Sequence, residues 1–337
     1  MVKKYLSVPA ALFLSFGSYT YSAPQNSSVK ALPKFIRTLD YGSLPSDSAL
    51  HHRTKWSNDV FLYIDDGTAP SIYVFDRAGK IKFSAMIQIP RVDRIRLDDY
   101  AAAPDGGVWT AGSAVSTTGQ QSYFLAYIAS GATDIRIIQT NPYHPRQLSV
   151  APDGTVWTAG YAVMPDGKGG NRQDGNQDSL RHFDASGNLI ASAMPAGSVG
   201  PLRAAVGFLV ANQDRIGWYS PAYGNGAYVE LSPDMNVLRS YPVAHTPDKS
   251  SRTEGLVVTP SGRVFATVMH TGPRGPSSAL YELDRSANDW VAVEAPQDTK
   301  GNVPWLEGND AESLVFTGPR DKSKLQVFEL SQVASPR

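Results

Sequence analysis

Residues 148–160, Leu-Ser-Val-Ala-Pro-Asp-Gly-Thr-Val-Trp-Thr-Ala-Gly, recur along the chain, and a repeated hairpin unit restricts the fold more than any other feature of this sequence. The stretch reads as strand, two-residue turn, strand, with Pro152, Asp153 and Gly154 at the turn and Trp157 in the second strand. A copy at 100–112 carries Pro104, Asp105, Gly106 and Trp109, each 48 positions before its counterpart. A third copy, 256–268, keeps Pro260 and Gly262 and puts Phe265 at the tryptophan position. For a chain of 337 residues the repeat favours one large all-β domain over two ordinary ones.

From Val60 onward the pattern settles into units of three or four strands. Six third strands stand out, at Ser71–Asp76, Tyr123–Ile128, Leu180–Asp184, Ala227–Ser232, Ala279–Asp284 and Leu325–Ser331. Fourth strands follow five of them, at Lys80–Ile87, Asp134–Gln139, Asn188–Ala193, Val237–Pro242 and Trp290–Ala295. The sixth unit lacks one, while Lys34–Tyr41 alternates as a strand and has no neighbour in sequence. An open sheet edge is an aggregation hazard that ring closure removes. The expected fold is therefore an all-β, six-bladed β-propeller closed by an N-terminal strand that completes the C-terminal blade. Trp109, Trp157, Trp218 and Phe265 fall at one repeat position, which predicts packing between blades.

The start of the chain carries its own signal. A basic Met1-Val2-Lys3-Lys4, an apolar run to Tyr19 and small residues up to Ala23 read as a signal peptide over 1–23, with a polar linker over 24–33 and the propeller over 34–337. A tethered N-terminus is the alternative. The expected location is periplasmic or secreted, with no stable membrane span after cleavage. The 31 basic and 31 acidic residues become 29 against 31 once Lys3 and Lys4 are removed, which argues against nucleic acid as partner. The absence of cysteine excludes disulfides, thiolate metal sites and cysteine nucleophiles.

The phrase at 148–157, continued by Arg181-His182-Phe183-Asp184-Ala185-Ser186-Gly187-Asn188-Leu189, resembles the repeat of NHL-type propellers and their bacterial relatives. Such relatives include lyases, lactonases and binding modules, so the resemblance implies architecture rather than one activity. Glu254-Gly255-Leu256 also resembles the inner-strand start of gluconolactonase-like propellers, which implies that the acidic residue there ligands a divalent metal.

In a propeller the innermost strands ring a channel. Six positions before each turn proline stand Asp98, Arg146 and Glu254, and the degenerate fourth unit offers Gly207 with Arg203 upstream. The first unit would contribute from His51, His52 and Arg53, and the sixth from near 300–302. Carboxylates at this level can act as bases or metal ligands and arginines can hold an anion; the same groups would otherwise be solvated residues pairing across the channel. His51, His52, His144, His245 and His270 are all expected in or beside loops. The insert 166–178 is expected as an irregular loop, with oxygen ligands at Asp174, Asn176 and Asp178 spaced for calcium or another divalent cation.

Two functions from different classes follow. The first is an exported monomer that binds a small molecule, glycan or envelope protein at its funnel and loops. The second is a metal-dependent lyase or lactone hydrolase, with Glu254 and Asp98 as ligands or bases and Arg146 and Arg203 holding a carboxylate. A structural subunit of an envelope complex is a third.

Overall fold

The computed structural model describes residues 34–40, 52–65, 69–132, 134–167, 170–174, 176–195, 207–212, 214–220, 227–244, 251–272, 275–295, 303–317 and 324–329. The expected signal peptide and linker lie outside them. Strand β1 (Lys34–Asp40) comes first. Sheet one follows as β2 (His52–Ser57), β3 (Val60–Asp65), β4 (Ser71–Phe75) and β5 (Ile81–Met86). Sheet two is β6 (Val92–Ala102), β7 (Val108–Ser116), β8 (Gln121–Ile128) and β9 (Ile135–Gln139). Sheet three holds β10 (Tyr143–Val150), β11 (Val156–Pro165), β12 (Asn171–Asp174), β13 (Asp178–Phe183) and β14 (Leu189–Pro195). Sheet four is β15 (Phe208–Ala211), β16 (Ile216–Ser220), β17 (Ala227–Leu231) and β18 (Val237–Pro242). Sheet five is β19 (Ser251–Val258), β20 (Val264–Gly272), β21 (Gly275–Asp284) and β22 (Asp289–Val293). The last sheet has β23 (Leu306–Asp310), β24 (Ser313–Thr317) and β25 (Lys324–Glu329).

Every sheet is an antiparallel meander, and the last is completed from the other end of the chain, because β1 pairs with β25 from Lys34↔Glu329 to Asp40↔Lys324. The first strands of successive sheets touch in sequence: β2 meets β6, β6 meets β10, β10 meets β15, β15 meets β19, β19 meets β23, and β23 returns to β2. This is a propeller arrangement of sheets around a central axis. Among the described residues no helix is long and apolar enough to cross a membrane.

Local chemistry explains the repeated unit. At the first turn the Gly106, Gly154 and Gly262 N–H groups donate to Ala103, Ala151 and Thr259 at 3.0, 2.9 and 2.8 Å. All three glycines have positive φ, 86°, 86° and 82°, a conformation that costs an L side chain. The turn is thus a three-residue Pro-Asp-Gly or Pro-Ser-Gly loop with its last residue left-handed, where a two-residue turn is expected from the sequence. At the second turn an aspartate closes the chain on itself. Asp76 Oδ1 accepts the Ala78 and Lys80 N–H groups at 2.8 and 2.9 Å, and Asp184 Oδ1 does the same for Ser186 and Asn188 at 2.8 Å each.

The aromatic position joins the sheets. Trp109 is buried in a cluster with Leu148, Val150 and Phe183 of sheet three, Trp157 in one with Leu209, Ala211 and Trp218 of sheet four, and Phe265 in one with Leu306 and Phe316 of the last sheet. Val315 meets Trp56, Phe61 and Tyr63 of sheet one and closes the apolar circuit. One sequence expectation changes here: the insert 166–178 contains a strand, β12, which pairs with the far end of β11 from Ala162↔Asp174 to Pro165↔Asn171.

Candidate functional site

The innermost strands are not regular. The pairing register slips between Leu97 and Asp99 in β6, Pro145 and Gln147 in β10, Thr253 and Gly255 in β19, and Leu306 and Gly308 in β23. Each slip leaves one residue outside the ladder, and those residues are Asp98, Arg146, Glu254 and Glu307. A bulge re-aims its side chain away from the alternation of the strand. The remaining two sheets supply Thr54 of β2 and Gly207 just before β15. Gly207 has φ 143°, and a Cβ there would fall 2.0 Å from the Tyr219 carbonyl oxygen, so glycine is required.

Two neighbours in this ring meet directly. Asp98, with its side chain 1% exposed, lies 3.0 Å from Arg146 Nη1 through Oδ1. Its Oδ2 is 2.7 Å from His144 Nε2, and Arg96 Nε approaches Oδ1 to 3.4 Å from the solvent side. The His144 ring is buried, stacked on Tyr123 with centroids 4.3 Å apart and edge-on to Tyr161 at 5.5 Å. Burial raises the Tyr123 pKa, and the nearby Tyr161 and Asp98 push it the same way. Asp99, the next residue, fastens three sheets: it accepts from Lys55 Nζ at 3.0 Å and from the Leu148 N–H at 2.7 Å.

On the other side of the ring Glu254 takes Arg252 Nη2 and Nε on one oxygen at 3.0 and 3.3 Å. Glu307 is buried and accepts a hydrogen bond from Thr54 Oγ1 at 2.9 Å. Burial pushes its carboxyl up to about 7, against the smaller opposing effect of the Thr54 bond.

Asp98, Arg146 and Glu254 therefore occupy equivalent places, and the first two form an ion pair. Glu254 sits at the same level with its own partner. Arg203 and His51 lie outside the described residues, as do His245 and 300–302, and His52 is placed only as the first residue of β2. His144 and His270 are not loop residues: the first is in β10 and the second in β20, where Ser251 Oγ lies 2.7 Å from its Nδ1. Asp174 Oδ1 accepts the Asn176 N–H at 3.0 Å, and Asp178 Oδ2 accepts from Ser192 Oγ at 2.8 Å. Among the described residues no group of three His, Asp or Glu is placed to hold a metal ion.

Glu307 is the ring residue that a count back from a turn proline misses, because the last sheet turns in two residues, Ala311 and Glu312, and has no proline there. The signal was the dipeptide Glu307-Gly308, which repeats Glu254-Gly255. Both glycines are needed for contact between sheets, since a Cβ on Gly255 would lie 2.7 Å from the Leu306 oxygen and one on Gly308 2.6 Å from the Trp56 oxygen.

No protein-family model matches the chain, and no curated protein matches it in sequence. Solved structures similar to it include a calcium-binding protein, regucalcin, from Agrobacterium tumefaciens strain C58, at 18% identity and a TM-score of 0.39 over 69% of each chain. A protein of unknown function from Bacteroides caccae is 11% identical with a TM-score of 0.42, covering 79% of this chain and 82% of that one. U3-55K is 8% identical with a TM-score of 0.46, covering 84% of this chain and 99% of that one.

Proposed function

We propose that the protein is an exported propeller of six NHL-like blades that binds an acidic small molecule or glycan at the mouth of its channel. The observation that carries this reading is a set of exposed side chains two residues ahead of the ring. Arg96 before Asp98 and Arg252 before Glu254 are each 67% exposed, and Trp305 before Glu307 is 56% exposed. By register they belong to one level of the channel mouth. Guanidinium forks suit a carboxylate, and an indole face suits the apolar face of a sugar ring.

The rival reading is a metal-dependent lyase or lactone hydrolase acting through Glu254 and Asp98. It requires carboxylates that here pair with Arg252, His144 and Arg146 to be released. Binding without turnover needs no such rearrangement, and is favoured for that reason.

Titration calorimetry with uronic-acid oligosaccharides and their neutral counterparts tests the proposal. Saturable binding is expected for the acidic forms only, weakening with salt. Arg96→Gln and Arg252→Gln are each expected to lower affinity by roughly tenfold or more. Equal binding of neutral sugars, or no binding, overturns it; turnover lost in Glu254→Gln establishes the rival.

A further inference from the structure

The outermost strands of the six sheets form the perimeter of the propeller, and five of these strands carry charge. Lys82 stands in β5, Arg136 in β9, Arg239 in β18, Asp289 in β22, and Lys34, Arg37 and Asp40 in β1. Strand β14, Leu-Ile-Ala-Ser-Ala-Met-Pro, carries none. A charged side chain on an edge strand guards against pairing with another chain. Sheet three lacks that guard, and its one edge proline, Pro195, closes the strand without covering the residues before it.

Three of the outer strands share an irregularity that allows comparison position by position. The register slips where Val74 passes to Phe75 opposite β5, His182 to Phe183 opposite β14, and Glu230 to Leu231 opposite β18. The residues left outside the ladder are Lys82, Ile190 and Leu238. Sheet one thus puts an exposed lysine at this bulge, and sheet four follows its exposed leucine with Arg239. Sheet three puts Ile190 there, 55% exposed, next to Leu189 at 50%. All residues from Leu189 to Ser192 are exposed, so both faces of the strand meet solvent, and among the described strands β14 pairs with β13 alone. Consecutive exposed apolar residues on an unguarded edge mark an interaction surface.

Charge selects the occupant. A strand added to an edge is held by main-chain hydrogen bonds that any sequence offers, so the side chains decide which sequence is accepted. Two copies of one strand related by a two-fold axis oppose their own side chains, and like charges brought face to face destabilise the pair. Strands β5, β9, β18 and β22 each carry charge of one sign and would oppose it to itself. In β14 every residue carried across the axis is Leu, Ile, Ala, Ser, Met or Pro, and nothing repels. A strongly basic or acidic strand would find no counter-charge there.

We propose that the protein forms a two-fold dimer through β14, the two strands pairing antiparallel so that sheet three continues into sheet three of a second copy. The sequence reading expects a monomer, and this edge is what changes it. Leu189 and Ile190 of each copy lose their contact with water in the pair. One strand and its apolar side chains make a small interface, so the dissociation constant is on the order of micromolar or weaker.

Sedimentation velocity of the full chain between roughly 1 and 200 µM tests this, with a monomer passing to a dimer as concentration rises. Over the same range, hydrogen exchange in the unaltered chain is expected to slow at the amides of residues 189–193. Ile190→Lys gives sheet three the residue that sheet one has at the same bulge. It is expected to weaken dimerisation by roughly tenfold or more without changing the melting temperature of the monomer, because the side chain is exposed. Leu238→Lys, a comparably exposed change at the same position of sheet four, must leave dimerisation as it is. No ligand is added, so the outcome is independent of the reading of the channel mouth. A monomer at every concentration, exchange at 189–193 that does not depend on concentration, full dimerisation of Ile190→Lys, or equal loss in Leu238→Lys each overturns the proposal.

Discussion

Glu307 gives the ring a built-in pH dependence whose sign and size follow from its surroundings. The residue sits where β23 of the last sheet meets β2 of the first, and burial raises its pKa from 4.5 to about 7 while the Thr54 hydroxyl pulls in the opposite direction. Below pH 4.5 the carboxyl is protonated folded and unfolded, and its contribution is at its most favourable. Between 4.5 and 7 the folded chain holds a proton that the unfolded chain has released, so stability falls as pH rises. Above 7 the group is ionised in both states and the loss is complete. At about 1.4 kcal/mol for each tenfold in proton affinity, the whole window is worth roughly 3 kcal/mol.

Glu307→Gln removes this slope. The amide has nearly the same shape, is neutral at every pH and can still accept from Thr54. Other carboxylates titrate over the same range, so the informative quantity is the difference between the two proteins. At an unfolding entropy of about 2.1 cal/mol/K per residue, roughly 3 kcal/mol corresponds to about 4 °C in Tm for a chain of this length. Scanning calorimetry from pH 4 to pH 8 is then expected to show near-equal Tm values at the acid end and a variant more stable by about 4 °C at the alkaline end. A difference that stays constant with pH, or a wild type that gains on the variant as pH rises, refutes the assignment of a buried, weakly compensated carboxyl.

Three further outcomes are expected. Asp98→Asn keeps the shape but removes the charge between buried His144 and Arg146, and chemical denaturation should show a loss of about 3 kcal/mol. Gly160→Ala places a Cβ 2.2 Å from the His144 backbone oxygen, so β10 must move; a loss of about 1–3 kcal/mol is expected together with weakened ligand binding at the mouth. A chain starting after Asp40 leaves the edge of β25 unpaired, and light scattering should show concentration-dependent aggregation that the chain including β1 does not.

How far such properties can be read from sequence depends on whether they are local to one repeat. The Pro-Asp-Gly turns, the buried Trp109 and Trp157 and the aspartates that close the second turns are each specified within a dozen residues, and they appear where the repeat puts them. The pairing of β1 with β25 is not local, yet it followed from counting strands, because a sheet missing its outer strand and a strand missing its sheet have one mutual solution. His144 was hidden by its neighbours. Tyr-His-Pro-Arg reads as a loop, but Pro145 is placed at a bulge, where a missing N–H costs no ladder bond. Strand β12 was hidden because Asn171, Arg172, Gln173 and Asp174 offer no apolar alternation, and only the reach of β11 beyond its sheet gives them a partner. The bond between Glu230 and Arg285 was beyond reach altogether, since Arg285 is 55 positions from Glu230 and belongs to another sheet. Glu307 lies between these cases. Counting back from a proline encodes turn length, which varies between copies, whereas the register slip in the innermost strand does not depend on the turn. A Glu-Gly pair, whose glycine is imposed by the neighbouring backbone at Leu306 or Trp56, marks that slip directly, so the bulge and not the turn is the reference from which ring residues of such a chain are to be found.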